Sequence, residues 1–315
     1  MSLTVGIDIG GTKIAGGIVD ESGKVVAETR RDSPADHVDA ITDAVVDIVE
    51  EFRREHPVVA VGVAAAGFLD RERDTVMFAP NLAWRDAPLR SMVKKRVQLP
   101  TVLENDANAA AWAEYRFGAG RDARTLALVA SGTGIGGGLV IDGRLFLGGF
   151  GVGAEFGHMR VVPNGRRCNC GLNGCWEAYG SGTGLTARAR ELVTEDPAGA
   201  PVLVELSGGD IDAIDGRMVT EAAERGDAAA KQCFVELARW LGEGMASLSA
   251  VLDPDVFVVG GGVAESPELD LQLVIDAFGP AESGSGHRPA PAIRLAELGN
   301  SAGLIGAADL ARVQA

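Results

Sequence analysis

A short loop near the middle of the chain holds residue types that bind metal ions. The segment "CNCGLNGCWE" contains Cys168, Cys170 and Cys175, three of the four cysteines, and His158 precedes it in "EFGHM". Three thiolates and one imidazole make up a closed tetrahedral zinc site, with free thiols as the alternative. Disulfides would require an oxidising compartment, and "MSLTVGIDIGG" is not typical of a signal peptide, so we expect a cytoplasmic chain.

Two glutamates flank this loop. Glu155 precedes His158 by three residues, and Glu177 follows Cys175 by two. A metal-bound histidine keeps one ring nitrogen free to donate a hydrogen bond. Carboxylates held beside such a donor suit the vicinal hydroxyls of a sugar, so the loop indicates a sugar pocket stiffened by zinc. The alternative for both glutamates is simple exposure beside a structural metal.

Three glycine-rich turns follow apolar strands: "DIGGTK", "SGTGIGGG" and "VGGGV". Glycine lets successive backbone N–H groups converge on an anion, and the hydroxyls of Thr12 and Thr133 add donors. One such turn alone is usually only a tight turn, but three together favour nucleotide phosphates. Since the turns lie outside the cysteine loop, loss of zinc is expected to weaken nucleotide binding less than sugar binding.

Two better-known phosphate motifs are excluded. The string from Gly132 to Gly137 satisfies G-x-G-x-x-G, but it continues as a strand, whereas a dinucleotide fingerprint opens a helix. The chain also has no G-x-x-x-x-G-K-[ST] string. We therefore expect phosphate to be held between two hairpin turns, one in each half of the molecule.

The string "ENDANAAA" places Asn105 and Asp106 where a strand meets a helix. Helix capping is the alternative reading, since both residue types are common N-caps. Phosphoryl transfer needs positioning, charge neutralisation and one carboxylate that accepts the proton of the attacking hydroxyl. We predict that Asp106 is this base.

The elements that must position these residues alternate between strands and helices. Three strands open the chain, and the strand, glycine turn, strand pattern recurs at "TLALVASGTGIGGGLVIDG", which indicates an internal duplication. This order predicts an α/β fold in two halves with a boundary near Gly118 to Asp122. Helices are expected over "HVDAITDAVVDIVEEFRRE", Gly184 to Val193, Asp227 to Val251 (with Cys233 in the core) and from Asn300.

Charge and hydropathy exclude two classes of partner. The formal net charge is −15 with a sequence pI near 4.7, which opposes binding to nucleic acid or to anionic membranes. No apolar run approaches the roughly 20 residues of a membrane span. With 315 residues, the chain is long enough for two domains.

Together these motifs resemble the ROK family of sugar kinases and repressors. The match is carried by "DIGGTK", "ENDANAA", "SGTGIGGG", "EFGHM", "CNCGLNGCWE" and "VVGGG", in family order and over nearly the whole chain. The resemblance implies an actin-like (ribonuclease-H-like) ATPase fold with two α/β domains around a central cleft. The smaller N-terminal domain would span 1–118, with the C-terminal helix 300–315 packing back on it, and the larger domain, 119–299, would carry the zinc loop.

The resemblance also implies roles for individual residues. The base corresponds to Asp106, and the zinc ligands correspond to His158, Cys168, Cys170 and Cys175. The implied sugar contacts are Asn105, Asp106, Glu155, His158, Glu177, Gly67 and Asn81. The implied contacts to ATP and Mg²⁺ are Asp8, Gly10, Gly11, Thr12, Lys13, Gly132, Thr133, Gly260, Gly261 and Gly262.

Within the family, the kinase branch is favoured. Repressors carry an N-terminal helix-turn-helix domain, whereas "TVGIDIGGTK" here begins almost at Met1. The implied activity is ATP-dependent phosphorylation of glucose at its 6-hydroxyl by a homo-oligomer, a dimer or tetramer. The alternatives are a kinase for N-acetylmannosamine, N-acetylglucosamine, fructose or mannose, and a non-catalytic sugar sensor, which would not need Asp106.

Overall fold

A computed structural model describes residues 2–34, 37–79 and 84–314 of the chain. Its strands are β1 (Leu3–Ile9), β2 (Lys13–Val19), β3 (Val25–Asp32), β4 (Val58–Ala65), β5 (Phe68–Leu69), β6 (Val76–Phe78), β7 (Arg85–Ala87), β8 (Thr101–Asn105), β9 (Thr125–Ser131), β10 (Ile135–Ile141), β11 (Arg144–Leu145), β12 (Val256–Gly260) and β13 (Ala292–Leu295). Its α-helices are α1 (Val38–Arg53), α2 (Leu89–Val97), α3 (Asp106–Phe117), α4 (Glu177–Gly180), α5 (Gly182–Glu195), α6 (Pro201–Leu206), α7 (Gly216–Glu224), α8 (Ala228–Leu252), α9 (Leu271–Ala281) and α10 (Ala302–Gln314). Short 3₁₀ helices cover Phe156–His158, Pro197–Gly199, Ile211–Ala213 and Gly299–Ser301.

The first sheet is mixed and has the strand order β3-β2-β1-β4-β8. β1, β2 and β3 form an antiparallel meander, while β4 and β8 continue the sheet in parallel with β1. The turn between β1 and β2 is closed by the Gly10 N–H, which donates to the Lys13 carbonyl at 2.9 Å. The three opening strands expected from the sequence are therefore confirmed.

Alternation along β1 separates the two faces of this sheet. Val5, Ile7 and Ile9 are buried in a core with α1 and α2. α1 buries the stripe that predicted it, and its buried apolar residues are Ile41, Val45, Val46, Ile48, Val49 and Phe52. Because side chains alternate along a strand, Asp8 belongs to the opposite face.

That opposite face packs against α10, which also packs on α3. The backbones approach so closely that only glycine fits on the strands. A Cβ on Gly6 would lie 2.0 Å from the carbonyl oxygen of Leu304, and one on Gly62 would lie 1.8 Å from that of Ala307. The last helix is thus held directly against β1 and β4, on the face to which Asp8 belongs.

The second sheet is also five-stranded, in the order β11-β10-β9-β12-β13. β10 pairs antiparallel with β11, and β12 pairs parallel with β13. The order matches that of the first sheet position for position, with β9, β10 and β11 corresponding to β1, β2 and β3. This match agrees with the internal duplication indicated by the sequence. A third, small antiparallel sheet has the order β5-β6-β7.

Residue contacts divide the chain into two compact units. Unit 1 comprises Met1–Leu128, Gly137–Ala154 and Ala296–Ala315, and unit 2 comprises Val129–Gly136 and Glu155–Leu295. The domain ranges expected from the sequence, 1–118 with 300–315 and 119–299, stay predictions. Among the helices of the described ranges, none is long and apolar enough to cross a membrane.

Candidate active site

The predicted base lies where β8 passes into α3. Asn105 is the N-cap of the helix: its Oδ1 accepts from the Asn108 N–H at 3.1 Å, and its Nδ2 donates to the Gly67 carbonyl at 3.2 Å. Asp106 is the first helical residue, and its Oδ1 accepts from the Ala107 N–H at 2.9 Å. Because Asn105 supplies the cap, Asp106 is not needed for it. Gly67 is thereby joined to this corner, whereas Asn81 lies outside the described residues.

Asp106 has a second carboxylate near it in unit 1. Burial, followed by the negative charge of Asp106, raises the pKa of Asp8 to about 7 from the ordinary 3.8. Burial also raises the pKa of Asp106. A carboxyl with a raised pKa accepts a proton more readily near neutral pH, which is the property a general base requires. The two predicted carboxylates of unit 1 therefore interact.

The first glycine-rich turn, at Gly10 to Lys13, also lies in unit 1. Thr12 is exposed, so its hydroxyl is free to face solvent or ligand. Lys13 is exposed as well, and its ammonium forms an ion pair with Asp32 on β3. The turn therefore presents a hydroxyl and backbone N–H groups, while the lysine charge is shared with a carboxylate.

The second and third turns meet inside unit 2. The Val263 N–H donates to the Ser131 carbonyl at 2.9 Å, which joins the turn after β12 to the end of β9. The start of α5 closes the second turn from another side, because the Gly182 N–H donates to the Gly132 carbonyl at 2.8 Å. The Thr183 hydroxyl adds a bond of 2.7 Å to the Thr133 carbonyl. The second and third turns, both predicted to contact ATP, are thus adjacent.

A cavity of about 510 Å³ adjoins the third turn at Gly262. Besides this glycine, it is lined by Arg217, Thr220, Glu221, Glu224, Glu265 and Ser266. Four of these side chains come from α7, which the sequence analysis did not single out. Their polarity is ordinary for an exposed helix face, so composition gave no signal for them.

The four predicted metal ligands lie together in unit 2. The donor atoms of His158, Cys168, Cys170 and Cys175 are all within 4.8 Å of one another. The Cys170 and Cys175 sulfurs are 3.7 Å apart, and the Cys168 sulfur is 3.8 Å from His158 Nδ1. Tetrahedral zinc with Zn–S bonds of about 2.3 Å places two sulfurs about 3.8 Å apart. The donor set and its spacing therefore fit zinc, and Cys233 lies apart from it, buried in α8.

His158 offers its two ring nitrogens to different neighbours. Nδ1 faces Cys168, whereas Nε2 lies 4.0 Å from the Oε2 atom of Glu155. Glu155 is exposed and immediately precedes the 3₁₀ helix that carries His158. A metal held through Nδ1 leaves Nε2 as a hydrogen-bond donor beside a carboxylate, which is the pairing that the sequence predicted.

Glu177 connects the cysteine loop to the second glycine-rich turn. Its Oε1 accepts from the Cys168 thiol at 3.4 Å, and its Oε2 accepts from the Ile135 N–H at 3.1 Å. A Cβ on Gly134 would lie only 2.0 Å from the same Oε2, so only glycine leaves room for the carboxylate there. This contact could not be recognised in the sequence, because Ile135 and Glu177 are 42 positions apart in the chain.

These features define the class of protein. Two mixed sheets of matching strand order, with glycine turns after apolar strands and an aspartate at a strand-to-helix junction, form the actin-like, ribonuclease-H-like ATPase fold predicted from the sequence. The chain belongs to the ROK family, whose model matches residues 4–314.

Three relatives are similar over almost their whole length. A glucokinase of Streptomyces coelicolor is 47% identical over 312 residues, which cover 99% of this chain and 98% of that protein. A ROK family glucokinase from Streptomyces griseus, solved in complex with glucose and AMPPNP, is 48% identical with a TM-score of 0.87, covering 99% of this chain and 100% of that one. The ROK hexokinase of Thermus thermophilus is 34% identical with a TM-score of 0.84, covering 99% and 98%.

Proposed function

We propose that this chain is a glucokinase, which transfers the terminal phosphoryl group of ATP to the 6-hydroxyl of glucose and releases glucose 6-phosphate and ADP. The observation that carries the proposal is Asp106, a carboxylate with a raised pKa that helix capping does not require. Full-length similarity to Streptomyces glucokinases supports glucose as the sugar.

In this mechanism each group has one task. Asp106 accepts the proton of the 6-hydroxyl as its oxygen attacks the phosphorus, and ADP leaves with the bridging oxygen. Asn105, Glu155, His158 and Glu177 hold the sugar hydroxyls, with Gly67 and Asn81 as secondary contacts. The turns at Gly10 to Lys13, Gly132 to Thr133 and Gly260 to Gly262 hold ATP. Asp8 would help to hold Mg²⁺, which would neutralise phosphate charge.

Zinc has a structural task in the same proposal. His158, Cys168, Cys170 and Cys175 would hold it with no open position, so it supplies rigidity to the segment that carries Glu155 and Glu177. We place the protein in the cytoplasm, because these thiols must stay reduced to bind metal. A homo-oligomer, dimer or tetramer, and a domain division at 1–118 with 300–315 and at 119–299 complete the proposal.

A sugar panel tests this function. Purified protein is assayed for ADP release with ATP, Mg²⁺ and each of glucose, mannose, fructose, N-acetylglucosamine and N-acetylmannosamine, and the kcat/KM values are compared. We expect glucose to give the highest value. A higher value for another sugar identifies a different hexose kinase, and sugar binding without ADP release identifies a sensor.

Replacement of the base tests the mechanism. We expect Asp106→Asn to reduce kcat by about 10²- to 10⁴-fold, the usual range for loss of a general base, while glucose still binds in calorimetric titration. Asp47→Asn, an exposed residue of α1, is the matched control and should keep its activity. If Asp106→Asn keeps more than a tenth of the wild-type kcat, Asp106 is not the general base.

A further inference from the structure

Unit 1 contains a buried ion pair, one member of which lies in β8, the strand that ends immediately before Asp106. Arg73 Nη2 lies 3.1 Å from Glu104 Oε1, and the two residues are only 8% and 3% exposed. Arginine and glutamate are rarely buried to this extent, because removing both charges from water is costly. A pair placed at such cost beside a catalytic segment is a candidate for a role other than stability.

Arg73 occupies a backbone position that disfavours it. It lies in the turn between β5 and β6, its N–H donates to the Asp70 carbonyl at 3.1 Å, and its φ is +54°. This left-handed conformation suits glycine and is unfavourable for a residue with a Cβ. The presence of arginine here indicates that the position depends on its side chain.

The guanidinium joins three segments of unit 1. Nη1 donates to the Gly151 carbonyl at 2.7 Å, and Nη2 faces Glu104. Among the described residues, none accepts a hydrogen bond from Arg73 Nε or Nη2, so Nη2 meets Glu104 as a charge at 3.1 Å. The guanidinium therefore has donors without acceptors, whereas buried polar groups usually have partners.

Glu104 also accepts hydrogen bonds from residues on both sides of Asp106 in the chain. Its Oε1 accepts from the backbone N–H of Asn105 at 2.9 Å and from Asn108 Nδ2 at 3.0 Å. One of these donors precedes Asp106 in the chain, and the other lies in the first turn of α3. The Glu104 carboxylate thus fixes the peptide that enters Asp106 and the helical turn that follows it.

The Arg73 charge favours the ionised form of Glu104. Burial raises the pKa of Glu104, and the Arg73 guanidinium opposes that rise. An ionised carboxylate accepts at both oxygens, whereas a protonated one turns an acceptor into a donor. Without Arg73, Glu104 would lose its charged partner, and burial would favour its protonated form more strongly.

We propose, on the basis of the kinase function proposed above, that Arg73 is a positioning residue for catalysis, which orients the Asp106 carboxylate through Glu104. It does not touch substrate. Its loss displaces the base relative to the hydroxyl and lowers kcat, because a misplacement of about 1 Å can cost on the order of 10²-fold in rate.

The test separates positioning from stability. Arg73→Met leaves Glu104 buried without its partner, so both the thermal midpoint and kcat should fall. The double variant Arg73→Met with Glu104→Gln removes both charges and should recover most of the thermal midpoint, since replacing a buried pair by neutral groups is often close to neutral. We expect its kcat to stay about 10- to 100-fold below wild type, with the KM for ATP nearly unchanged.

Two further variants complete the design. Arg73→Lys keeps a positive charge near Glu104 and should give a kcat above that of Arg73→Met. Arg71→Met changes an exposed arginine in the same turn and should match wild type. If Arg73→Met does not fold, the double variant and Arg73→Lys carry the comparison.

Two results would overturn the inference in different ways. If the double variant recovers kcat together with its thermal midpoint, Arg73 serves only stability, and the kinase function stands. If wild type and Arg71→Met do not phosphorylate glucose, the proposed function fails and the role of Arg73 fails with it.

Discussion

Replacing Asp8 by asparagine is expected to stabilise the folded chain, and to do so increasingly as the pH rises from 5 to 8. Burial and the charge of Asp106 raise the pKa of Asp8 to about 7, against 3.8 for an ordinary aspartate. The folded chain therefore holds a proton that the unfolded chain releases. For such a group, stability is fully present below pH 3.8 and is lost as the pH rises to about 7.

The size of the effect follows from these two pKa values. At pH 5 the folded Asp8 is still protonated, so only part of the penalty applies, whereas at pH 8 the buried carboxylate is ionised and the full penalty applies. Proton linkage between 3.8 and about 7 gives a change of roughly 2.5 kcal/mol in the unfolding free energy between those pH values. Asparagine does not ionise, so the variant lacks this change.

The assay is urea unfolding of wild type and Asp8→Asn at pH 5 and pH 8 without magnesium, followed by tryptophan fluorescence. Trp84 and Trp112 lie in unit 1 with Asp8 and report on its unfolding. The stability difference between the two proteins should grow by roughly 2.5 kcal/mol from pH 5 to pH 8. It should grow less in an Asp106→Asn background, where one of the two causes is absent.

Asp20→Asn is the matched control in the same unit. A hydrogen bond from the Ser22 hydroxyl holds the pKa of Asp20 below its ordinary value. Asp20 is therefore ionised in both folded and unfolded chains above pH 5, and its variant should differ from wild type by the same amount at both pH values. If the stability difference between Asp8→Asn and wild type is also the same at pH 5 and pH 8, the reasoning from burial and repulsion is refuted.

Three further predictions concern the cysteine loop and the turn that Glu177 joins to it. Protein purified without added zinc should contain about one zinc per chain by metal analysis, and a content near zero with three freely titrating thiols in folded protein would contradict the site. Cys170→Ser should lose zinc and, in calorimetric titrations of folded protein, bind glucose more weakly, with a smaller effect on a nucleotide analogue; unchanged glucose affinity after proven zinc loss would separate the metal from the sugar pocket. Gly134→Ala should displace the Glu177 carboxylate and weaken glucose binding, whereas Gly279→Ala, where a Cβ meets nothing within 4 Å, should not; equal glucose affinity in the two variants would contradict the contact.

Elements with a strong local signal were predictable from the sequence. The apolar spacing in the sequence predicted both α1 and α8, because a periodic apolar stripe on a helix must face a core. The glycine turns after β1, β9 and β12 marked the ends of buried strands. The repeated pattern then gave the duplication that the matching strand orders display. For the helices and turns the signal lies in one run of consecutive residues, and for the duplication it lies in two such runs that share a pattern.

Elements without periodicity were not predictable in this way. β5, β6 and β7 have only two or three residues each, which is too few for alternation to be recognised. The burial of Arg73 runs against the ordinary exposure of arginine, and it depends on Glu104 and Gly151, which are 31 and 78 positions away in the chain. Such contacts arise from the tertiary fold, and no local pattern encodes them.

The site residues divide in the same way. Asp106 was found because its residue type and its place at a strand-to-helix junction are both local, and the cysteines were found because their spacing is local. The elevated pKa of Asp8 was not foreseen, since it requires burial and the approach of Asp106. Sequence identified the groups that can do chemistry, while their protonation depended on neighbours that are distant in the chain.

Glu177 shows why the ligand sites of unit 2 should not be treated as independent. One carboxylate oxygen accepts from a zinc-site thiol, and the other accepts from the backbone of the second glycine-rich turn. A movement of the cysteine loop therefore shifts the carboxylate, and a movement of the carboxylate removes the bond that orders the turn. Zinc replaces the proton of the Cys168 thiol, so with metal bound Glu177 stays joined to the loop through its backbone beside Cys175 and to the turn through the Ile135 N–H. The expectation that zinc loss weakens sugar binding more than nucleotide binding stays a prediction, and titration of both ligands into the zinc-free variant measures how far Glu177 couples the two sites.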